Sequence, residues 1–183
     1  PIDYKQIKWE NINKKRSVKM NKENKRIGLL FDSLRSPYDI ANIIQVAIAL
    51  DCDIYTSGSC IDFNNKKIVG KVNSWKATTY PNIIHFDKIE DAINVLHSQG
   101  KKVYGTSPHA TSDFYEIDAV SEDVVIAFGT ESTGLSKHAM EMMDGVTTLP
   151  MQNLGFLTLS VAVSAIAYEL NRQINDSSNH KSR

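Results

Sequence analysis

The chain has 183 residues, no formal net charge and 42% hydrophobic residues, which suits one domain with a substantial core but not two. This composition is typical of ordinary soluble globular proteins. No N-terminal stretch has the apolar region of a signal peptide, and the longest apolar stretch, 157–170, is too short to span a bilayer. We therefore predict a soluble, cytoplasmic protein with no membrane partner.

Basic residues are concentrated at the start of the chain. Residues 1–26 contain nine basic and three acidic residues, a net charge of +6, so the remaining residues carry −6. A basic arm on an acidic body favours an anionic partner, most commonly nucleic acid. Tyr4 and Trp9 can stack on bases, but a solvated, partly disordered arm explains the same composition. The predicted division is a basic arm at 1–25, a domain at 26–175 and a flexible polar tail at 176–183.

Strand-like and helix-like apolar patterns alternate along the rest of the chain. The pattern predicts an α/β fold, with a mostly parallel sheet and helices on both faces. In chain order, the predicted elements are strand 26–34, helix 39–50, strand 53–58, a loop, strand 82–86, helix 89–100, strand 101–107, strand 124–129, helix 136–143, strand 145–150 and a helix from about 157 to 174.

Glycine-containing turns follow three of the predicted strands. Their sequences are GTSPHA (105–110), GTESTG (129–134) and LPMQNLG (149–155). Parallel sheets bind their ligands beyond the carboxyl ends of the strands, where these turns are expected. We therefore predict that exposed backbone in these turns contacts a ligand, with the carboxylate of Glu131 beside it.

The sequence lacks several standard ligand motifs. Neither G-x-G-x-x-G nor G-x-x-x-x-G-K-[ST] is present, which argues against dinucleotide and triphosphate sites of those kinds. No G-x-S-x-G elbow supports hydrolysis. The histidines have no H-x-x-x-H spacing, and Cys52 and Cys60 have no second cysteine pair. We predict free thiols and no metal site.

Three separated blocks of sequence carry the strongest functional signal. In order, they are LLFDSLRSPYDIANIIQVAIALDCDIYTSG, KKVYGTSPHA, and VVIAFGTESTGLS with the following DGVTTLPMQNLGFLTLSVAVSAIAYELNRQ. Together they resemble the motifs of the SpoU (TrmH-like) branch of the SPOUT RNA 2′-O-methyltransferases. The resemblance implies a C-terminal trefoil knot, a homodimer and S-adenosylmethionine as cofactor. It also implies methyl transfer to the ribose of tRNA or rRNA.

The same resemblance assigns roles to individual residues. Glu131 matches the motif acid on the substrate side, where a positioning role is favoured over proton acceptance. Taken singly, Leu149 and Leu157 fit a plain core role as well as a binding role. The implied cofactor residues are Gly129 through its backbone, Leu149, Met151 and Leu157 around the adenosine, and Thr106 and Ser107 beside the methionine part.

The first motif departs from the family pattern, which runs Asn-x-Gly-x-x-x-Arg. This chain has Asp39, Ala41 and Gln45 at those positions. Gln45 replaces the arginine that is credited with orienting the RNA phosphate or helping to deprotonate the 2′-hydroxyl. Arg35, on the same predicted loop, is the candidate substitute, although a surface role fits it equally well. Three hypotheses stay open: an active methyltransferase with a variant site formed by Arg35, Gln45 and Glu131, a degenerate relative that binds without methyl transfer, and an unrelated α/β protein.

Overall fold

The computed structural model describes residues 25–180 except 64, 78 and 131. Nearly all of the predicted basic arm and the motif acid Glu131 therefore lie outside the described residues. Within them, one sheet contains seven strands. The strands are β1 Gly28–Asp32, β2 Asp53–Ser57, β3 Ile83–Phe86, β4 Lys102–Thr106, β5 Ser112–Asp113, β6 Val124–Phe128 and β7 Gly145–Thr148.

The sheet is parallel throughout its described strands. The strand order is β3-β2-β1-β6-β4-β7-β5. β6 pairs with both β1 and β4, and all five of its residues are buried, as expected for a strand that is covered on both faces. The predicted α/β class with a mostly parallel sheet is confirmed, and the trefoil knot stays a prediction.

Helices cover both faces of the sheet, as predicted. One hydrophobic core contains Ile44, Ile68 and Val163, which come from the first, second and last helices. A second core, on the opposite face, contains Ile93 and Ala139 from the other two. The helices are α1 Pro37–Leu50, α2 Lys66–Ser74, α3 Ile89–Ser98, α4 Lys137–Met142 and α5 Leu159–His180.

Helix α2 corrects the sequence prediction, which placed a loop between 58 and 82. The Asn65 side chain caps it by accepting a hydrogen bond from the Lys67 N–H at 3.0 Å. Ile68 and Val72, one turn apart, are buried in the core. The helix has only nine residues and contains Gly70, which disfavours a helix in isolation. Tertiary packing of Ile68 and Val72 therefore stabilises a helix that local propensity does not reveal.

Helix α5 is longer than its pattern predicts. The prediction ends it near residue 174, whereas the helix continues to His180. Arg172 donates hydrogen bonds to Glu169 at 2.9 Å and to Asp176 at 2.7 Å. Pairs three and four residues apart support helical structure. Residues 176–180, which were predicted to belong to a flexible tail, are therefore helical.

An ion-pair network fixes the edge of the sheet opposite the carboxyl ends. The Asp144 carboxylate accepts hydrogen bonds from the Val103 N–H at 2.8 Å, His97 Nε2 at 2.9 Å and Lys102 Nζ at 3.2 Å. Burial by itself raises the pKa of Asp144, but these hydrogen bonds outweigh it and lower the pKa below its usual value. The network joins α3, β4 and the segment that enters β7.

We expect Asp144→Asn to lower the free energy of unfolding by about 1.5–3 kcal/mol at neutral pH, because hydrogen bonds to a charged group are lost. The melting temperature should fall by about 3–10 °C. The pKa of Asp144 is lower in the folded state, so its stabilisation is present at neutral pH and is lost as the pH falls below about 4. The difference between wild type and variant should therefore shrink in acid.

A control, Asp123→Asn, removes an exposed carboxylate 3.9 Å from Lys25 and should change stability by less than about 0.5 kcal/mol. Equal losses in both variants would contradict the assignment.

Candidate functional site

A cavity of about 490 Å³ opens at the carboxyl ends of β4, β6 and β7. This is where ligands of parallel sheets bind, and the volume lies within the range of small-molecule sites. The three glycine-containing turns of the sequence analysis meet here. All six predicted cofactor residues line the cavity, namely Thr106, Ser107, Gly129, Leu149, Met151 and Leu157.

The turn after β6 requires glycine at two positions. A Cβ on Gly129 would collide with the backbone of Gly134 and Leu135, because the turn folds back onto its own start. Gly134 has φ +66°, in the left-handed region that favours glycine, and its N–H donates to the Thr130 carbonyl at 2.8 Å. The segment that follows β6 is thus a closed turn, and its backbone lines the cavity.

Hydrogen bonds hold the turn after β4 against its neighbours. Thr106 Oγ1 donates to the Ala127 carbonyl at 2.9 Å, and the Ser107 N–H donates to the Thr147 carbonyl at 3.0 Å. Ser107 Oγ accepts from the His109 N–H at 3.2 Å. These bonds connect the end of β4 to both adjacent strands. Hydrogen bonds within the sheet therefore fix the position of the polar wall of the cavity.

The opposite wall is apolar and comes from the segment after β7 and from α5. Leu149 and Met151 face the cavity together with Leu159, Ala162 and Ile166. The last three lie at helical spacing on one face of α5. Apolar walls beside a backbone turn suit a flat heterocycle such as adenine. The hydrophobic pattern of α5 predicts this helix in the sequence, but not that its first turns face the cavity.

The proposed catalytic residues do not line the cavity within the described part of the chain. Arg35 is exposed on the loop between β1 and α1, and Gln45 is exposed on α1. Thr130 and Ser132, which flank Glu131 in the sequence, do line it. The structure therefore brings the cofactor candidates together and leaves Arg35 and Gln45 outside them.

His109 is a lining residue that the sequence pattern did not single out among the histidines. Among the described lining residues it alone has an ionisable side chain, and it is exposed. Its position in the turn GTSPHA was the signal that could have identified it. Apart from His109, the described polar groups of the cavity are hydroxyls and backbone amides.

Other classes of site find no support in the described residues. There, no three His, Cys, Asp or Glu side chains lie together as metal ligands would. Cys52 and Cys60 are free thiols, and burial raises the pKa of Cys52 to about 12. None of the helices that the structure describes is long and apolar enough to cross a bilayer.

Comparison with known proteins identifies the family. Residues 26–168 match the SpoU rRNA methylase family over more than half of the chain. The chain belongs to the SpoU rRNA methylase family. The resemblance found in the sequence is thereby confirmed, and the hypothesis of an unrelated α/β protein was wrong.

Individual relatives agree with this membership. An uncharacterised tRNA/rRNA methyltransferase of Synechocystis is 27% identical over 81% of this chain and 54% of its own length. A tRNA (guanosine(18)-2′-O)-methyltransferase of Thermus thermophilus is 26% identical over 79% of this chain and 74% of its own length. The chain thus spans about half the length of the first relative and about three quarters of the second.

A solved SpoU structure has the same fold. The SpoU methyltransferase AviRb from Streptomyces viridochromogenes, in complex with AdoMet, superposes with a TM-score of 0.70 at 24% identity. The match covers 86% of this chain and 63% of AviRb. The SpoU fold is therefore present in this chain despite the altered first motif.

Proposed function

We propose that this SpoU family member is an S-adenosylmethionine-dependent RNA 2′-O-methyltransferase that acts on the ribose of tRNA or rRNA. One observation carries the proposal: the six residues implied as cofactor contacts, scattered over 52 positions from Thr106 to Leu157, line one cavity. Membership of the family and the cofactor bound to the related AviRb support it.

The residues present fit the cofactor. The cavity of about 490 Å³ is large enough for the cofactor. Because Gly129 has no Cβ, the turn after β6 can fold closely onto its own start, where a ligand would approach the backbone. Leu149, Met151 and Leu157 would hold the adenosine, while Thr106 and Ser107 would border the methionine part. When bound, S-adenosylmethionine supplies a methyl group on a good sulfonium leaving group.

The rest of the chemistry falls to side chains of the protein. A 2′-hydroxyl is a poor nucleophile, so the protein must align it with the methyl group and take up its proton. We propose that Arg35 orients the RNA phosphate, that Glu131 positions the substrate, and that Gln45 stands where the family has its arginine. His109 is the described lining residue that can accept a proton.

One observation favours a second candidate, a relative that binds cofactor or RNA without transferring methyl groups. Gln45 has no charge, and Asp39 and Ala41 also replace the usual motif residues.

Incubating the protein with radiolabelled S-adenosylmethionine and separate tRNA and rRNA pools distinguishes the active methyltransferase from the degenerate relative. We expect label in RNA, and 2′-O-methylated nucleosides after digestion. Cofactor binding by calorimetry with no label in either pool would favour the degenerate relative.

We further propose a homodimer. Leu154, Phe156, Val161 and Tyr168 are 51–64% exposed, and Val161 and Tyr168 lie two turns apart on one face of α5. Exposed apolar residues grouped in this way mark an interaction surface. We expect light scattering to give twice the monomer mass, and Val161→Glu with Tyr168→Glu to give the monomer. A wild-type monomer at micromolar concentration would contradict the proposal.

The arm at 1–25, the domain at 26–175 and a cytoplasmic location stay predictions.

A further inference from the structure

Helix α2, which the sequence analysis missed, presents an unusually basic surface. Residues 63–86 contain four lysines and no Asp or Glu, although residues 27–183 carry a net charge of −6. All four are exposed, and none forms an ion pair within the described residues. They are Lys66, Lys67, Lys71 and Lys76.

Lys66 and Lys67 do not stabilise their own helix, whereas Lys71 lies in the last turn, where the helix dipole favours a cation. Lys66 and Lys67 occupy its first turn, where the helix dipole favours anions, and no acidic residue is present there. Lys67 and Lys71 are four residues apart, so two like charges lie side by side on one face. Burial of Ile68 and Val72 secures the helix from the opposite side. The charges of Lys66 and Lys67 are therefore unfavourable within this helix and suit an external anion.

An exposed aromatic ring lies within the same surface. Tyr38, at the start of α1, is 67% exposed, and Lys71 Nζ lies 4.7 Å from the centre of its ring. The cation lies over one face of the ring and leaves most of the side chain exposed. Basic groups beside an exposed aromatic side chain are the usual means of holding a nucleic-acid strand through phosphates and base stacking. We call Lys66, Lys67, Lys71 and Tyr38 the lysine patch.

The lysine patch and the cavity share the carboxyl edge of the sheet. Both α1 and α2 begin at this edge, and their preceding loops are joined by the hydrogen bond from the Ile61 N–H to the Leu34 carbonyl at 3.0 Å. Arg35 lies on the first of these loops, immediately after Leu34. β1 lies next to β6, whose end forms the cavity, and neighbouring strands are about 4.8 Å apart. One strand of RNA can therefore contact both.

We infer that the lysine patch binds the phosphate backbone of the RNA substrate while Tyr38 stacks on a base. The inference rests on the proposed function, because it supplies the docking surface that an RNA needs to place its ribose at the cavity. Phosphate contacts of this kind position an RNA without reading its sequence. Bulk tRNA and rRNA fragments are therefore suitable probes.

The test compares two triple variants in RNA-binding titrations over a range of salt concentrations. Lys66→Gln/Lys67→Gln/Lys71→Gln removes the charges of the patch, and Lys88→Gln/Lys101→Gln/Lys137→Gln removes three from the rest of the surface. We expect the patch variant to bind about tenfold or more weakly and its salt slope to fall by about two units, at roughly 0.7 per phosphate contact. The control should stay within about twofold. Calorimetry should show unchanged S-adenosylmethionine binding in both.

A tyrosine pair tests the stacking. Tyr38→Phe should retain RNA affinity, whereas Tyr38→Ala should weaken it by about five- to a hundredfold. Equal affinity and salt slope for the patch and control variants, with methyl transfer intact, would overturn the inference and leave the proposed function standing. A wild-type protein that neither binds nor methylates RNA would overturn both.

Discussion

Gly129→Ala is expected to weaken S-adenosylmethionine binding by at least about tenfold and to lower thermal stability. A Cβ at this position would overlap the backbone of Gly134 and Leu135, which cannot move aside as a flexible side chain can. Overpacking of this kind costs about 1–3 kcal/mol. If the turn opens to relieve it, cofactor affinity falls by about ten- to a hundredfold. Calorimetry measures the affinity, and the melting temperature should fall by several degrees.

Gly70→Ala provides the matched control. A Cβ there has nothing within 4 Å, and the residue lies in the middle of α2. Alanine should therefore stabilise the protein by up to about 1 kcal/mol and leave cofactor binding unchanged. If Gly129→Ala binds S-adenosylmethionine as the wild type does, the turn after β6 does not hold the cofactor and the proposed site is wrong.

Gln45→Arg is expected to increase methyl transfer by two to three orders of magnitude over a slow wild-type rate. Gln45 does not line the cavity, but it occupies the position where the family pattern has its arginine. A preorganised positive group near the developing negative charge is worth about 3–4 kcal/mol. Gln45 is exposed on α1, so an arginine there displaces no buried side chain. The cofactor residues belong to other elements, so S-adenosylmethionine should bind with the same affinity to both proteins. Single-turnover transfer of a labelled methyl group measures the rate.

Two further variants define what this gain means. Ala49→Arg places the same charge one turn further along the exposed face of α1 and should not raise the rate. Arg35→Ala should abolish the wild-type activity if Arg35 compensates for the missing arginine. A fast wild type that tolerates Arg35→Ala would show that neither residue limits the reaction.

The fold class was accessible from the sequence because short apolar runs that are typical of buried strands alternate with helix-like patterns. The strand Val124–Phe128 is such a run, and the glycine at its end, Gly129, predicts exposed backbone beside a ligand. The family resemblance then selected six cofactor candidates from the second and third of the three blocks. That these six line one cavity is a property of strand order, which brings together the ends of β4, β6 and β7.

The sequence by itself determined the alternation of strands and helices, the turns that need glycine and the family to which the chain belongs. Those features depend on local periodicity and on residue types at fixed spacing. Only the tertiary structure decided that β6 lies between β1 and β4, that α5 lines the cavity, and that α2 is a helix at all. Each of these depends on burial between distant segments, as when Ile68 and Val72 pack in the core, and local sequence does not record such contacts. The lysine patch became visible only once that helix placed Lys71 over Tyr38.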